Sequence, residues 1–185
     1  MNFRIAAFLG LMLALITSAA RAENVSNDKA TLPGPFGPPS WDTQYTGKQR
    51  FLVLDQFGDE AVLDRETGLV WQRAVPSGTL IWANAVTICL SQVTGHRRGW
   101  RLPSYEEMTT LLDPNHQNPA LPANHPFTNF LPTDYFWTST TPAGQSGMAF
   151  FVQIATATTF VVSNKTGFFF RYWCVRGGQG AQNPQ

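Results

Sequence analysis

The stretch Gly99-Trp-Arg-Leu-Pro-Ser-Tyr-Glu-Glu-Met108 decides how the middle of the chain folds, because each of its positions has a separate structural role. Ser104 is a helix-capping residue, and Glu107 stands three residues later, where its carboxylate can reach back to the Ser104 amide. This pairing is a capping box. It predicts a helix that begins at Tyr105 and continues to about Leu112.

Arg101 lies just in front of the capping box, and we expect it to be part of the scaffold. Its guanidinium would span backbone carbonyls or pair with a carboxylate such as that of Glu107 or Asp64. Contact with a ligand is the alternative role for this arginine. Four tryptophans have large apolar bodies with one N–H each, which predicts core anchors. They are Trp71, Trp82, Trp100 and Trp173.

The N-terminal segment 1–22 has the three parts of a secretory signal peptide. A basic start at Arg4 precedes the apolar residues 5–16, and Ala20-Arg21-Ala22 matches a small-x-small cleavage site. The apolar stretch is too short for a permanent bilayer span. The sequence therefore predicts a periplasmic or extracellular protein with no membrane span after signal cleavage, and an uncleaved membrane tether is the alternative.

The charge balance excludes two classes of partner. Cleavage after Ala22 removes two arginines from the 13 Lys and Arg residues, which leaves 11 against 12 Asp and Glu and a net charge of −1. A near-neutral chain has no general electrostatic footprint for nucleic acid or for an anionic membrane. We expect the basic run 96–98 to complement the carbonyls at the end of a preceding helix, with a polyanion-binding patch as the alternative.

Composition divides the remaining chain into three parts. Residues 23–48 are rich in Pro, Gly, Asn, Ser and Thr, which predicts an extended linker. Residues 49–178 form the predicted globular domain, which is long enough to bury a core. Residues 179–185 are expected to be a disordered tail.

The sequence contains two cysteines, Cys89 and Cys174. In an oxidising compartment an even count of cysteines predicts a disulfide. The bond would close a loop of about 85 residues, which the chain-entropy model values at about 4 to 5 kcal/mol. A catalytic or metal-binding thiol pair is the alternative, although it requires reduced cysteines and is usually more closely spaced.

The first part of the globular domain predicts a β-hairpin followed by a helix. Apolar runs at 51–54 and 61–63 precede a turn at 64–68, and residues 69–72 read as the next strand. An apolar stripe at helical spacing then predicts a helix that ends at Gly95 and turns Cys89 toward the core. The stripe consists of Trp82, Val86, Cys89, Leu90 and Val93.

The second part predicts a helix, a long polar loop and four strands. The last three strands are expected to form a meander, with a hairpin turn at 164–167. The final strand is apolar on both faces, so it is expected to be central. The predicted strands are 135–140, 148–154, 158–163 and 168–175.

Together these motifs resemble the Lcl C-terminal domain family, and two of them are also similar to formylglycine-generating and C-type-lectin-like domains. The resemblance implies an α+β, C-type-lectin-like fold, with two helices packed on a twisted antiparallel sheet, one long-range disulfide and a loop-rich ligand face. An oxidase role would require reactive cysteines, and both cysteines here are assigned to the disulfide. The matching segments are 62–72, Trp82 with Cys89, 99–107, 136–140 and 173–177.

A long loop, 113–132, is rich in Pro, Asn and His, and loops of this length in a compact domain usually serve a function. Amides, hydroxyls and aromatic rings suit a sugar ligand, and relatives of the Lcl type are associated with adhesion to surface glycans. The loop at 142–147 is expected to contribute to the same face. The predicted ligand-binding residues are Asn115, His116, Asn118, His125, Tyr135 and Trp137.

Three functions from different classes follow from these observations. The first is a non-enzymatic binding module for a glycan or another envelope ligand, and the second is a structural or protein-interaction subunit of an envelope assembly. The third is a metal-assisted enzyme that uses Asp113, His116 and His125, because imidazole and carboxylate are competent ligands. The first is preferred, with no catalytic residue, no metal site and no cofactor expected, and the sequence leaves the oligomeric state open.

Overall fold

The computed structural model describes residue 45 and residues 47–156 and 161–177. The predicted signal peptide, the linker apart from its last residues, and the predicted tail lie outside this part of the chain, and they stay predictions. No helix of the described part is long and apolar enough to cross a membrane.

The larger of two antiparallel sheets has five strands in the order β1-β2-β3-β8-β4. The predicted hairpin is present, with Leu63 opposite Val70 and a turn in which the Gly68 amide donates to the Asp64 carbonyl at 2.8 Å. Gly68 has a φ of 71°, a left-handed conformation that glycine adopts without strain. The strands are β1 Phe51–Val53, β2 Ala61–Asp64, β3 Val70–Gln72, β4 Trp100–Arg101 and β8 Val175–Arg176.

The smaller sheet has three strands in the order β5-β6-β7. Each neighbouring pair is antiparallel, so the first step of the predicted meander, from β6 to β7, is correct. The strands are β5 Tyr135–Trp137, β6 Met148–Gln153 and β7 Val161–Asn164.

The predicted final strand, 168–175, is largely wrong. Only its end joins a strand, β8, which is central as predicted because it lies between β3 and β4. The residues before it cross from one sheet to the other and touch other chain segments through isolated bridges at Phe170 and Arg171. Phe168 and Phe169 are exposed instead of buried. The meander therefore ends at β7.

Helix α1 spans Trp82–Ser91 and covers one face of the core. Ala85 and Cys89, four residues apart, are its fully buried positions. The predicted stripe is wrong at Leu90 and Val93, which are 63% and 49% exposed. Adjacent helical residues point about 100° apart, and α1 faces the core with Cys89 and solvent with Leu90. Val93 lies beyond the end of the helix. The helix ends four residues before the predicted Gly95.

Helix α2 spans Tyr105–Thr110 and begins with the predicted capping box. The Glu107 amide donates to the Ser104 hydroxyl at 3.1 Å, and the Ser104 amide donates to Glu107 Oε2 at 2.8 Å. Leu111, where the sequence still predicts helix, is the C-cap. Helix α2 therefore begins where the sequence predicts and ends about two residues earlier than predicted.

Alternating residues of both sheets fill two core clusters, as the two-residue period of a strand requires. The first cluster includes Phe136 and Val152 and is covered by α2 through Met108. The second includes Trp137 and Phe151 and is covered by α1 through Cys89.

The disulfide and three of the four tryptophans anchor these clusters as predicted. Cys89 and Cys174 are bonded, with their Cα atoms 5.4 Å apart. Trp82 differs because it is only partly buried, and its Nε1 donates to the Thr138 carbonyl at 2.8 Å. The buried members of the predicted four are Trp71, Trp100 and Trp173. The fold is thus α+β, with two helices on antiparallel sheets and one long-range disulfide, while the C-type-lectin-like assignment stays a prediction.

A buried ion pair near the start of the domain has no counterpart in the sequence predictions. Arg50 Nε and Nη2 donate to the two carboxylate oxygens of Asp64 at 2.9 and 2.8 Å. Asp64 is fully buried, and it also accepts from the Glu66 amide and the Thr67 hydroxyl. The guanidinium of Arg50 also donates to the Thr110 carbonyl, so it ties the hairpin to α2.

Candidate functional site

The six predicted ligand-binding residues do not form one site. The long loop packs on the first core cluster through Leu121 and Phe127. Trp137 belongs to the second cluster, and the Tyr135 ring contacts Phe151 of that same cluster at 5.5 Å. The loop residues and the two β5 residues therefore belong to different sides of the domain's core.

Part of the long loop is organised by Asp113. Its carboxylate accepts from the Asn115 amide at 2.9 Å and contacts His116 Nδ1 at 2.8 Å. The backbone N–H of Asn115 is the main cause that holds the pKa of Asp113 below its usual value, and His116 adds to this effect. Asn118 is exposed, and its backbone N–H donates to the Ala155 carbonyl at 2.8 Å. These contacts stabilise the loop itself.

His125 lies apart from this cluster, on an aromatic surface. Its ring is 5.9 Å from Phe127 and 5.8 Å from Phe130, and its Nδ1 is buried without a hydrogen-bond partner. Burial lowers the pKa of His125, because the charged form loses its hydration.

The predicted metal-ligand trio of the enzyme hypothesis is not assembled. His116 pairs with Asp113, whereas His125 packs against phenylalanine rings. Among residues 45, 47–156 and 161–177, no group of three or more His, Cys, Asp and Glu side chains could hold a metal ion. The described residues thus offer that hypothesis no metal centre.

Trp137 requires a correction to the predicted binding residues. It is fully buried, and its Nε1 donates to the Leu80 carbonyl at 2.8 Å. The strand places it on the inner side, where its ring packs 4.6 Å from Phe170. Burial excludes this side chain from direct contact with a ligand, so Trp137 supports the surface residues above it.

Three rings above Trp137 form a surface that we call the aromatic patch: Tyr135, Phe168 and Phe170. Tyr135 is 41% and Phe168 51% exposed, and the Phe170 ring links them at 5.5 and 5.8 Å. Phe170 rests in turn on the buried Phe151 at 4.6 Å. The patch therefore consists of two exposed rings and one half-buried ring on a buried base, and an exposed apolar patch commonly marks an interaction site.

The sequence predicted Tyr135 as a site residue but missed the two phenylalanines. They belong to the run 168–170, which reads as a buried strand because it is wholly apolar. The preceding Gly167 ends a turn, which indicates that the chain is near the surface at this point. A single glycine does not reveal which of the following side chains face solvent.

A comparison of the sequence with known protein families covers most of the described domain. The model of the Lcl C-terminal domain family matches residues 60–176. The chain belongs to this family. No curated protein and no solved structure matches it.

In this Lcl C-terminal domain the matched span runs from the strand β2 region to the end of β8, so it includes the disulfide and the aromatic patch. The motif arginine lies within the span. Arg101 donates to both carboxylate oxygens of Glu107 at 2.6 Å and to the Gly177 carbonyl at 2.7 Å. Its guanidinium thereby connects the capping box to the residue after β8, which is a scaffold role.

Proposed function

We propose that this Lcl C-terminal domain is a non-enzymatic binding module, exported to the periplasm or the cell exterior, that recognises a glycan of the cell envelope. The observation that carries the proposal is the aromatic patch. Rings stack on the C–H faces of sugars while neighbouring polar groups exchange hydrogen bonds with hydroxyls. The Tyr135 hydroxyl supplies one such group at the patch itself.

Rigidity of the patch supports this function, because a preorganised surface loses less entropy on binding. Next to Tyr135 in the chain, the Asp134 carboxylate accepts from Arg171 Nη1 at 3.0 Å and from the Leu131 amide at 2.8 Å. Arg171 also donates to the Asn129 carbonyl at 2.6 Å. This network fixes the end of the long loop beside β5, which is the arrangement that a loop-borne recognition surface needs.

A structural or protein-interaction subunit of an envelope assembly is the second candidate. It is favoured by Phe169 and Leu131, which are 63% and 62% exposed. Aliphatic and aromatic surface beyond what a sugar ring covers is typical of a protein interface.

A glycan array and a heparin column, both with the folded domain, test the first candidate. The variants Phe168→Ala and Tyr135→Ala remove rings of the patch, and Leu90→Ala is the matched control, an exposed apolar residue on α1. We expect the patch variants to lower saccharide affinity by about tenfold or more and the control to leave it unchanged.

Retention of no saccharide by the folded wild-type domain contradicts the glycan function. In that case a pull-down from envelope extract that recovers one defined partner, and loses it with Phe168→Ala, favours the protein-interaction candidate.

A further inference from the structure

A cleft lined mostly by residues with polar side chains shares no residue with the aromatic patch, and we call it the polar cleft. Its volume is about 450 Å³, within the range of small-molecule sites. Four separate segments of the chain form it: the turn before β2, the end of β3, the loop after α1 and the long loop. The lining residues are Asp59, Glu60, Gln72, Arg73, Ala74, Thr94 and Thr128.

Some polar groups of the cleft already form hydrogen bonds within the protein. Gln72 Nε2 donates to the Thr94 hydroxyl at 2.7 Å, and its Oε1 accepts from the Cys174 amide at 3.2 Å. Glu60 Oε2 accepts from the Gly95 amide at 2.6 Å. These bonds connect the walls of the cleft to Cys174 of the disulfide and to the loop after α1.

Other polar groups of the cleft form no ion pair or strong side-chain hydrogen bond within the described residues. Within the described part of the chain, neither the Asp59 carboxylate nor the Arg73 guanidinium forms an ion pair, and the Thr128 hydroxyl forms no hydrogen bond. Arg73 makes one weak side-chain bond, to the Asp59 carbonyl at 3.4 Å. The cleft thus presents one acceptor group, one multiple donor and one hydroxyl, all free to bind a ligand.

The chemistry of these groups defines a ligand class. A carboxylate accepts hydrogen bonds from two neighbouring hydroxyls, and a guanidinium donates to two neighbouring oxygens. Vicinal hydroxyls of a sugar supply both patterns. The side chains of Asp59, Glu60 and Arg73 together carry a net charge of −1, which repels uronate and sulfate groups.

We propose that the cleft is a second saccharide site that binds an uncharged sugar through vicinal hydroxyls, held by Asp59, Arg73 and Thr128. This inference rests on the proposed function, because it takes the ligand of the domain to be a saccharide. It extends that function by adding a charge-selective site that is separate from the stacking surface of the aromatic patch.

The test uses the full domain and a panel of uncharged tetrasaccharides with vicinal hydroxyls, including cellotetraose and maltotetraose. Tetragalacturonate and a heparin tetrasaccharide are the acidic counterparts. The variants are Asp59→Asn and Arg73→Met, with Asp55→Asn and Arg65→Met as exposed controls. Asp59 has a φ of 61°, which asparagine also tolerates, so Asp59→Asn is expected to keep the fold.

We expect Asp59→Asn and Arg73→Met each to weaken binding of the best uncharged tetrasaccharide by about tenfold, because each loses hydrogen bonds that a charged group makes. The controls should bind as the wild type does. Tetragalacturonate should bind the wild type more weakly than the uncharged sugars, and Asp59→Asn should narrow this difference because it removes a repelling charge.

The outcomes separate the two proposals. Loss of binding with Phe168→Ala but none with Asp59→Asn or Arg73→Met overturns the cleft and leaves the glycan function in place. Loss with the cleft variants alone supports the cleft and contradicts the role of the aromatic patch. Preference for the acidic tetrasaccharides also overturns the cleft proposal, and failure of the folded wild type to bind any saccharide overturns both.

Discussion

Replacement of Arg50 by methionine should destabilise the domain more than any other single charge removal discussed above. The substitution keeps most of the apolar stem and removes the guanidinium that faces Asp64. Asp64 is fully buried and would be left without its guanidinium partner. Breaking a buried ion pair from one side costs about 3 to 5 kcal/mol, because an uncompensated charge remains in the interior.

The structure places the expected loss toward the lower end of that range. Two hydrogen bonds to Asp64 survive the substitution, from the Glu66 amide at 3.1 Å and the Thr67 hydroxyl at 2.9 Å. A loss of about 3 kcal/mol is still a large share of the roughly 5 to 15 kcal/mol that stabilises a domain. The neighbouring Arg65 is exposed, so Arg65→Met should cost less than about 1 kcal/mol.

Urea unfolding at neutral pH measures both variants. The double variant Arg50→Met with Asp64→Asn also removes the unpaired carboxylate. Its free energy of unfolding should be higher than that of Arg50→Met alone by at least about 1 kcal/mol. If Arg50→Met and Arg65→Met unfold within about 0.5 kcal/mol of each other, the buried pair does not carry the stability argued for it.

Three further predictions concern the disulfide, a histidine and the capping box. Replacing both Cys89 and Cys174 by alanine should lower the free energy of unfolding by about 4 to 5 kcal/mol, measured in urea, because a loop of about 85 residues is no longer closed. The wild type should lose stability as pH falls below about 6.5, because burial lowers the pKa of His125 and the unfolded chain binds the proton more readily. Thermal melts at a series of pH values measure this loss, and it should be absent from His125→Phe. Glu107→Ala should cost about 1 to 3 kcal/mol in urea, because both the capping bond and the partner of Arg101 are lost.

Each of these has an outcome that contradicts it. Two reactive thiols in the unfolded, unreduced protein would disprove the disulfide. A pH slope that persists unchanged in His125→Phe would show that burial of this histidine does not cause it. Glu107→Ala within about 0.5 kcal/mol of Glu106→Ala would show that the carboxylate at the third helical position has no special role.

Features that depend on neighbouring residues could be predicted from the sequence. The capping box is complete within the four residues from Ser104 to Glu107, and the turn from Asp64 to Gly68 is equally local. The disulfide is a long-range feature, yet two cysteines allow a single pairing. In each case few alternatives compete with the correct one.

Features that depend on tertiary packing were missed. The run 168–175 is apolar except for Arg171, and periodicity cannot separate a buried strand from an exposed crossing between two sheets. Arg50 gives no sign of burial until the fold brings Asp64 and the end of α2 around it. The polar cleft combines four segments that lack any shared motif, so only the folded chain brings Asp59 near Thr128.

The position of β8 has a consequence for the order in which the domain is completed. In the described sheet β4 is an edge strand that pairs with β8, and β3 also reaches β4 through β8. Val175 and Arg176 are among the last residues of the domain to be synthesised. A partial chain that holds β1 to β7 therefore still lacks the strand that joins its two halves. The large sheet can close only once nearly the whole domain is available, and loss of the C-terminal residues leaves β4 without its strand partner.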